Sequence, residues 1–260
     1  MSEHVRLSVA DGVATITLDR PEKHNSLSYD DWTELSHKIT YVGEDADARV
    51  LVVRGAGKRA FSTGADLTEL VERDAYAAYE NALRLQRICG QIAQLRKASV
   101  AMLRGYALGG GFELALCCTF RLASDQAVVG LPEVNMGTLA GAGGTQRVTR
   151  LAPTGVALRM LLLGDLLPAR EALEHGLVDR VVPDAELEAA TAELASRLGA
   201  GDQRTTALIL DAVRLVTEGS NHVGLAGEAA LFGMTTSYDT FRERIAAFRS
   251  KNGAELREEG

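Results

Sequence analysis

The chain has 260 residues, 46% of them hydrophobic and 24% charged, which is enough to bury a sizeable core without disulfides or a structural metal and leaves disorder and coiled coil as poor readings. A formal net charge of -7 argues against nucleic acid as the main partner, because phosphate contacts need a surplus of Lys and Arg; a few cations around one pocket still suffice for a small anionic ligand. Cys89, Cys117 and Cys118 form no CxxC pair and read as reduced, buried thiols, and the opening MSEHVRLSVADG has no apolar core, so a soluble cytoplasmic protein is expected.

In chain order, residues 5–9 and 13–18 are apolar and β-branched with Asp11-Gly12 between them, a hairpin signal. Pro21 ends the second strand, and a polar turn, EKHNS, follows. Ser28 caps a helix predicted from about Tyr29 to Glu44, with Trp32, Leu35 and Ile39 on one side. Residues 49–54 read as a buried strand. A Gly-rich loop leads to a helix from about Tyr76 to Leu95, and 99–104 form another buried strand. This strand runs into GYALGGG and a helix, FELALCC. Short strands are expected at 119–123 and 127–130, then an irregular region from Gly137 to Gly144. Beyond Pro153 the pattern is mostly helical: near 154–163, 168–175, 186–198, 203–217, 221–236 and 238–250, interrupted by one strand at 177–182. Strand–helix alternation over the first two thirds indicates an α/β fold.

Three segments could carry chemistry. Gly109-Gly110-Gly111 opens a helix directly after a buried strand, where backbone N–H groups lack internal partners, and glycine lets a ligand approach them. The N–H near Gly110 is thus a candidate oxyanion donor, with Glu113 in the first turn beside it. Glu at that position also simply complements the helix dipole. Gly130-Leu131-Pro132-Glu133-Val134 lies at a strand end, although Pro followed by Glu is ordinary helix-start grammar. Phe61-Ser62-Thr63-Gly64-Ala65-Asp66-Leu67 offers a second N–H at Ala65 and a capping Asp66; a plain left-handed turn reads equally well. The glycines from Gly141 to Gly144 follow neither dinucleotide nor P-loop spacing and suggest a loop packed closely on a neighbour or a ligand. No GxSxG elbow occurs, and the five histidines are scattered, which leaves carboxylates and backbone donors as the expected machinery.

Together TLDRPEKHNSLS at 17–28, AFSTGADLTEL at 60–70, GYALGGGFELAL at 105–116, GLPEVNMGTLAGAGGTQRVTRL at 130–151 and AREALEHGLVDRVVP at 169–183 resemble the crotonase, or enoyl-CoA hydratase/isomerase, family over almost the whole chain. The resemblance implies a spiral of ββα repeats over residues 1–195, then a helical trimerisation region over 196–260. It implies homotrimers, often paired into hexamers, and a CoA thioester as substrate with no further cofactor and no metal. The donors to the thioester oxygen match Ala65 and Gly110. Enoyl-CoA hydratases carry two glutamates, matched by Glu113, which orients and deprotonates water, and Glu133, which protonates Cα. Arg59, Ser62, Gly64, Asp66, Leu67, Gly109, Phe112, Pro132 and Gly141 stand at positions expected to bind substrate. For Arg59 a solvated surface charge is the equal alternative.

The sequence departs from the pattern at Phe112, where a small residue is usual, at Ala140, where hydratases often have Pro, and in the loose basic-aromatic segment at 248–256. Phe112 motivates an alternative, an isomerase or a hydratase specialised for a branched, cyclic or aromatic acyl group; a non-catalytic binding member is a third reading.

Overall fold

The computed structural model describes residues 2–69, 74–218 and 221–247. They fall into two units, one ending at Gly199 and the other beginning at Ala200. The expected boundary after residue 195 falls inside a helix, Leu187–Gly199, and the division comes at that helix's end instead.

In the first unit β1 (Val5–Ala10) and β2 (Val13–Leu18) form the expected hairpin, with Asp11 at φ 51° and Gly12 at φ 79°. Positive φ at both turn residues matches the right-handed twist of the two strands. β2 then pairs in parallel with β3 (Val50–Gly55), β3 with β5 (Ala98–Leu103), β5 with β7 (Phe120–Ser124), and β7 with β10 (Arg180–Val182). Parallel strands covered on both faces read as continuous apolar runs, and β5 is buried at every residue. On one face Leu51, Val53, Ala101 and Leu103 pack with Trp32, Leu35 and Ile39 of α1 (Tyr29–Glu44) and Ile88 and Ile92 of α2 (Ala75–Ala93). On the other, Val50, Val52, Val100 and Met102 meet Leu187, Ala190 and Ala195 of the helix that closes the unit. Ser28 caps α1 through a reciprocal box with Asp31, and Asp74 caps α2.

A second sheet of four short strands, β4 (Ala60–Ser62), β6 (Tyr106–Leu108), β8 (Val128–Gly130) and β9 (Leu166–Pro168), stands beside the first. Three of these four strands are absent from the sequence expectations, because three residues are too few to show a period of two. The expected helix at 154–163 is α-helical only over Thr154–Leu158 and widens into a π-helical turn over Arg159–Leu163. The expected strand at 177–182 shortens to β10.

The polar turn after Pro21 ties the two sheets together. Asn25 sits in the left-handed region at φ 56° and is 1% exposed. Its Nδ2 donates to the carbonyls of Ala56 (3.0 Å) and Ala60 (2.8 Å), and its Oδ1 accepts from the Arg20 N–H (2.9 Å). Its own carbonyl accepts from the Ser62 hydroxyl. Asn25→Ala is expected to leave three backbone groups, one buried and two half-buried, without their partner and to lower stability by about 2–4 kcal/mol, read as a drop in the urea midpoint. An unchanged midpoint would show that these bonds do not hold the turn.

In the second unit a helix over Gln203–Glu218 packs on one over Asn221–Thr236. A further helix runs over 239–247; the remainder of the one expected at 238–250, and the segment at 248–256, lie outside the described residues. Among the described residues no helix is long and apolar enough to cross a membrane.

Candidate active site

The second sheet delivers two loops to one place. β4 ends at Ser62 and turns through Thr63, Gly64 and Ala65; β6 ends at Leu108 and turns through Gly109 into α3 (Gly110–Ala115). The loops touch. A methyl group added at Gly64 would stand 2.6 Å from the Gly110 nitrogen, and one added at Gly110 would stand 3.5 Å from the Ala65 nitrogen. Gly64 has φ +87°, so both its conformation and this approach require glycine.

The first loop is held by a bridge to Leu27, whose N–H donates to the Gly64 carbonyl and whose carbonyl accepts from the Asp66 N–H. Those bonds flank Ala65 and leave its own N–H out. Gly110, as the first residue of α3, has no carbonyl four residues back to which its N–H could donate within the helix. Among the described residues neither N–H has a protein acceptor, so two donors lie side by side where an oxygen bearing developing charge could be held.

Glu113 and Glu133 converge on this point. Glu113 lies one turn into α3 and is 3% exposed. Its Oε1 accepts from the N–H of Ala142 and of Gly144, both at 2.7 Å. No hydrogen bond from the described residues falls on its Oε2. Glu133 is the second residue of a 3-10 turn, Pro132–Met136. Its Oε1 hangs over Gly109, 3.2 Å from where a methyl group there would stand, and its Oε2 is buried with no partner.

Burial pushes the Glu113 carboxyl up to about 7; the nearby Glu133 charge adds to the rise, while the Gly144 and Ala142 N–H groups and Arg147 pull it back. Burial also raises Glu133. Two adjacent carboxyls that resist ionising together hold one proton between them near neutrality, and their titration belongs to the pair.

The donors to Glu113 answer what the Gly141–Gly144 loop does, and sequence reasoning missed Ala142 and Gly144 as contributors. Gly144 is fixed by this contact, since a methyl group there would stand 2.9 Å from both Glu113 Cγ and Oε1. The Gly141 carbonyl accepts from Gln86 Nε2 of α2 (3.0 Å), which anchors the same loop.

The other expected contacts divide. Gly64 and Gly109 lie at the meeting point, and Pro132 starts the turn that carries Glu133. Three other side chains expected to meet substrate make contacts within the protein. Ser62 is fully buried; its hydroxyl donates to the Asn25 carbonyl (2.8 Å) and accepts from the Gly64 N–H (3.1 Å). Phe112 is 0% exposed and belongs to the core, so its ring does not wall an acyl pocket. Asp66 pairs with Arg20 (2.9 Å) and Lys23 (3.4 Å) and accepts from Thr68, contacts that hold its carboxyl down at about 2. Arg59 is exposed on the loop before β4, and the Leu67 side chain lies outside the described residues.

Residues 8–259 match the family model described as enoyl-CoA hydratase/isomerase. The chain is 32% identical to crotonyl-CoA hydratase of Syntrophomonas wolfei over 252 residues, covering 97% of each. It is 36% identical to 2,3-dehydroadipyl-CoA hydratase of Escherichia coli over 240 residues, covering 92% of each. The crystal structure of an enoyl-CoA hydratase from Bacillus anthracis superposes with a TM-score of 0.91 at 33% identity, over 96% of this chain and 97% of that one.

Proposed function

The chain belongs to the enoyl-CoA hydratase/isomerase family, and from that premise we propose that it adds water across the 2,3-double bond of a 2-enoyl-CoA thioester, with Glu113 and Glu133 as its acid–base pair. The observation that carries the reading is that a buried carboxyl, Glu113, and a half-buried one, Glu133, lie beside two backbone N–H groups that have no protein acceptor among the described residues.

The thioester oxygen lies against the N–H groups of Ala65 and Gly110, which stabilise the enolate that forms as Cβ is attacked. Hydration requires the reactive form of the pair in which Glu113 is the carboxylate, held by two amide N–H groups, and Glu133 carries the proton. Glu113 Oε2 accepts a proton from water as its oxygen bonds to Cβ. Glu133 gives its proton to Cα, and the pair exchanges one proton to reset. The reaction needs no cofactor beyond the CoA carried by the substrate.

The alternative that rested on Phe112 loses its motive, because that ring is packed in the core. The second unit exposes Ile209, Val213, Val216 and Phe232 on its two long helices, which suits the packing of a homotrimer or a pair of trimers. Three free, buried cysteines suit a cytoplasmic location.

Glu133→Gln is expected to lower kcat for hydration of crotonyl-CoA by roughly 10²–10⁴-fold, with binding of a saturated acyl-CoA kept. A near wild-type kcat would remove Glu133 from the chemistry.

A further inference from the structure

Arg147 lies in the first turn of α4 (Gly144–Leu151). Its Nη1 donates to the Ala142 carbonyl at 3.0 Å, and its backbone N–H donates to the Gly143 carbonyl at 3.0 Å. The guanidinium lies so close over Gly143 that a methyl group there would stand 2.0 Å from Nη1. Gly143 itself is at φ +106°, the bend that turns the N–H groups of Ala142 and Gly144 to the same side, where both meet Glu113 Oε1 at 2.7 Å. Residues 142–144 are therefore gripped from two sides, by a carboxylate on one and a guanidinium on the other.

We propose that Arg147 is a positioning residue for hydration: it clamps the 142–144 bend so that two backbone N–H groups stay aimed at Glu113. This rests on the reading of Glu113 as the group that takes the proton from water. Among the described residues the other titratable groups around Glu113 are Glu133 from the 3-10 turn, Cys89 from α2, and Cys117 just beyond α3, whose Sγ donates to the Glu113 carbonyl. Arg147 is the cation among them, and it opposes both burial and the Glu133 charge.

The sign follows. Glu113 must be ionised to accept a proton, so kcat/KM rises as pH passes its apparent pKa. Without Arg147 that pKa climbs, and the acid limb moves to higher pH. The test is the pH profile of kcat/KM for crotonyl-CoA hydration in Arg147→Gln and Arg147→Lys, with Glu113→Gln in parallel and thermal melting to confirm folding. For Arg147→Gln, kcat at pH 7 is expected to fall roughly tenfold to a hundredfold with KM little changed, and the acid limb to move up by about one pH unit. Arg147→Lys keeps the charge but not the planar fork; its limb stays in place while kcat still falls several-fold.

A folded Arg147→Gln enzyme with wild-type kcat and an unmoved limb would overturn the proposal. So would equal kcat losses in both variants with neither limb displaced, the mark of a merely structural role. Should Arg147→Gln not fold, Arg147→Lys decides: a several-fold lower kcat at an unchanged KM and an unchanged melting temperature supports the clamp, and a wild-type kcat, or a loss of kcat that comes with a lowered melting temperature, overturns it. Near wild-type activity in Glu113→Gln is a separate failure, that of the hydration reading itself.

Discussion

Glu113→Gln is expected to abolish hydration and, above neutral pH, to make the protein more stable. The activity loss follows from removing the base: acid–base help of this kind contributes about 10²–10⁴ in rate. The stability gain follows from burial. Glu113 is 3% exposed and its carboxyl titrates near 7 in the fold against 4.5 as the ordinary value. A carboxyl raised on folding makes the native state bind more protons than the unfolded chain, so stability falls as pH rises from about 4.5 through about 7. Glutamine removes that cost yet keeps an oxygen for the Ala142 and Gly144 N–H groups. At pH 8 the variant should be more stable by on the order of 2 kcal/mol, a rise in Tm of roughly 5 °C, and below pH 4.5 the difference should vanish. Melting curves of both proteins across pH check this. A variant less stable than wild type at pH 8 would mean that the carboxylate is not paying a burial cost in the native state.

The second large effect is expected at Gly64→Ala. Its methyl group would stand 2.6 Å from the Gly110 nitrogen and force a left-handed backbone on alanine. The two loops would have to part, and the paired N–H donors with them. Loss of one oxyanion donor costs roughly 10²–10³ in kcat, and displacing both should cost at least that. Gly90→Ala is the control: an added methyl group would meet nothing within 4 Å at that site in the last turn of α2, so activity should hold. Comparable activity in Gly64→Ala and Gly90→Ala would refute the donor pair.

Much of the fold is legible in the sequence where a pattern is local and long enough. The Asp11-Gly12 turn, the Ser28 cap and the apolar runs of β3 and β5 each state their structure within a few residues. β4, β6 and β9 do not, because three residues in a second sheet take their conformation from neighbours far along the chain. The π-helical turn after Leu158 likewise has no local signal; it packs against the 3-10 turn that carries Glu133, with Gly164 pressed against Asn135. The same holds in the site. Glu113 and Gly110 stand in one readable motif, but the donors that fix Glu113 lie 29 and 31 residues away. The direction of a side chain is also hidden. Ser62 sits in the motif that delivers Ala65, yet its hydroxyl turns inward to Asn25, because a buried loop must satisfy its own carbonyls first.

The paired donors and the paired acids are one device, and a crystal structure with a saturated acyl-CoA thioester bound would test it most directly. The expected result is a thioester oxygen 2.7–3.1 Å from both the Ala65 and Gly110 nitrogens, with the carboxyls of Glu113 and Glu133 facing Cα and Cβ from one side. An oxygen bound away from those nitrogens, or acyl carbons out of reach of both acids, would contradict the account.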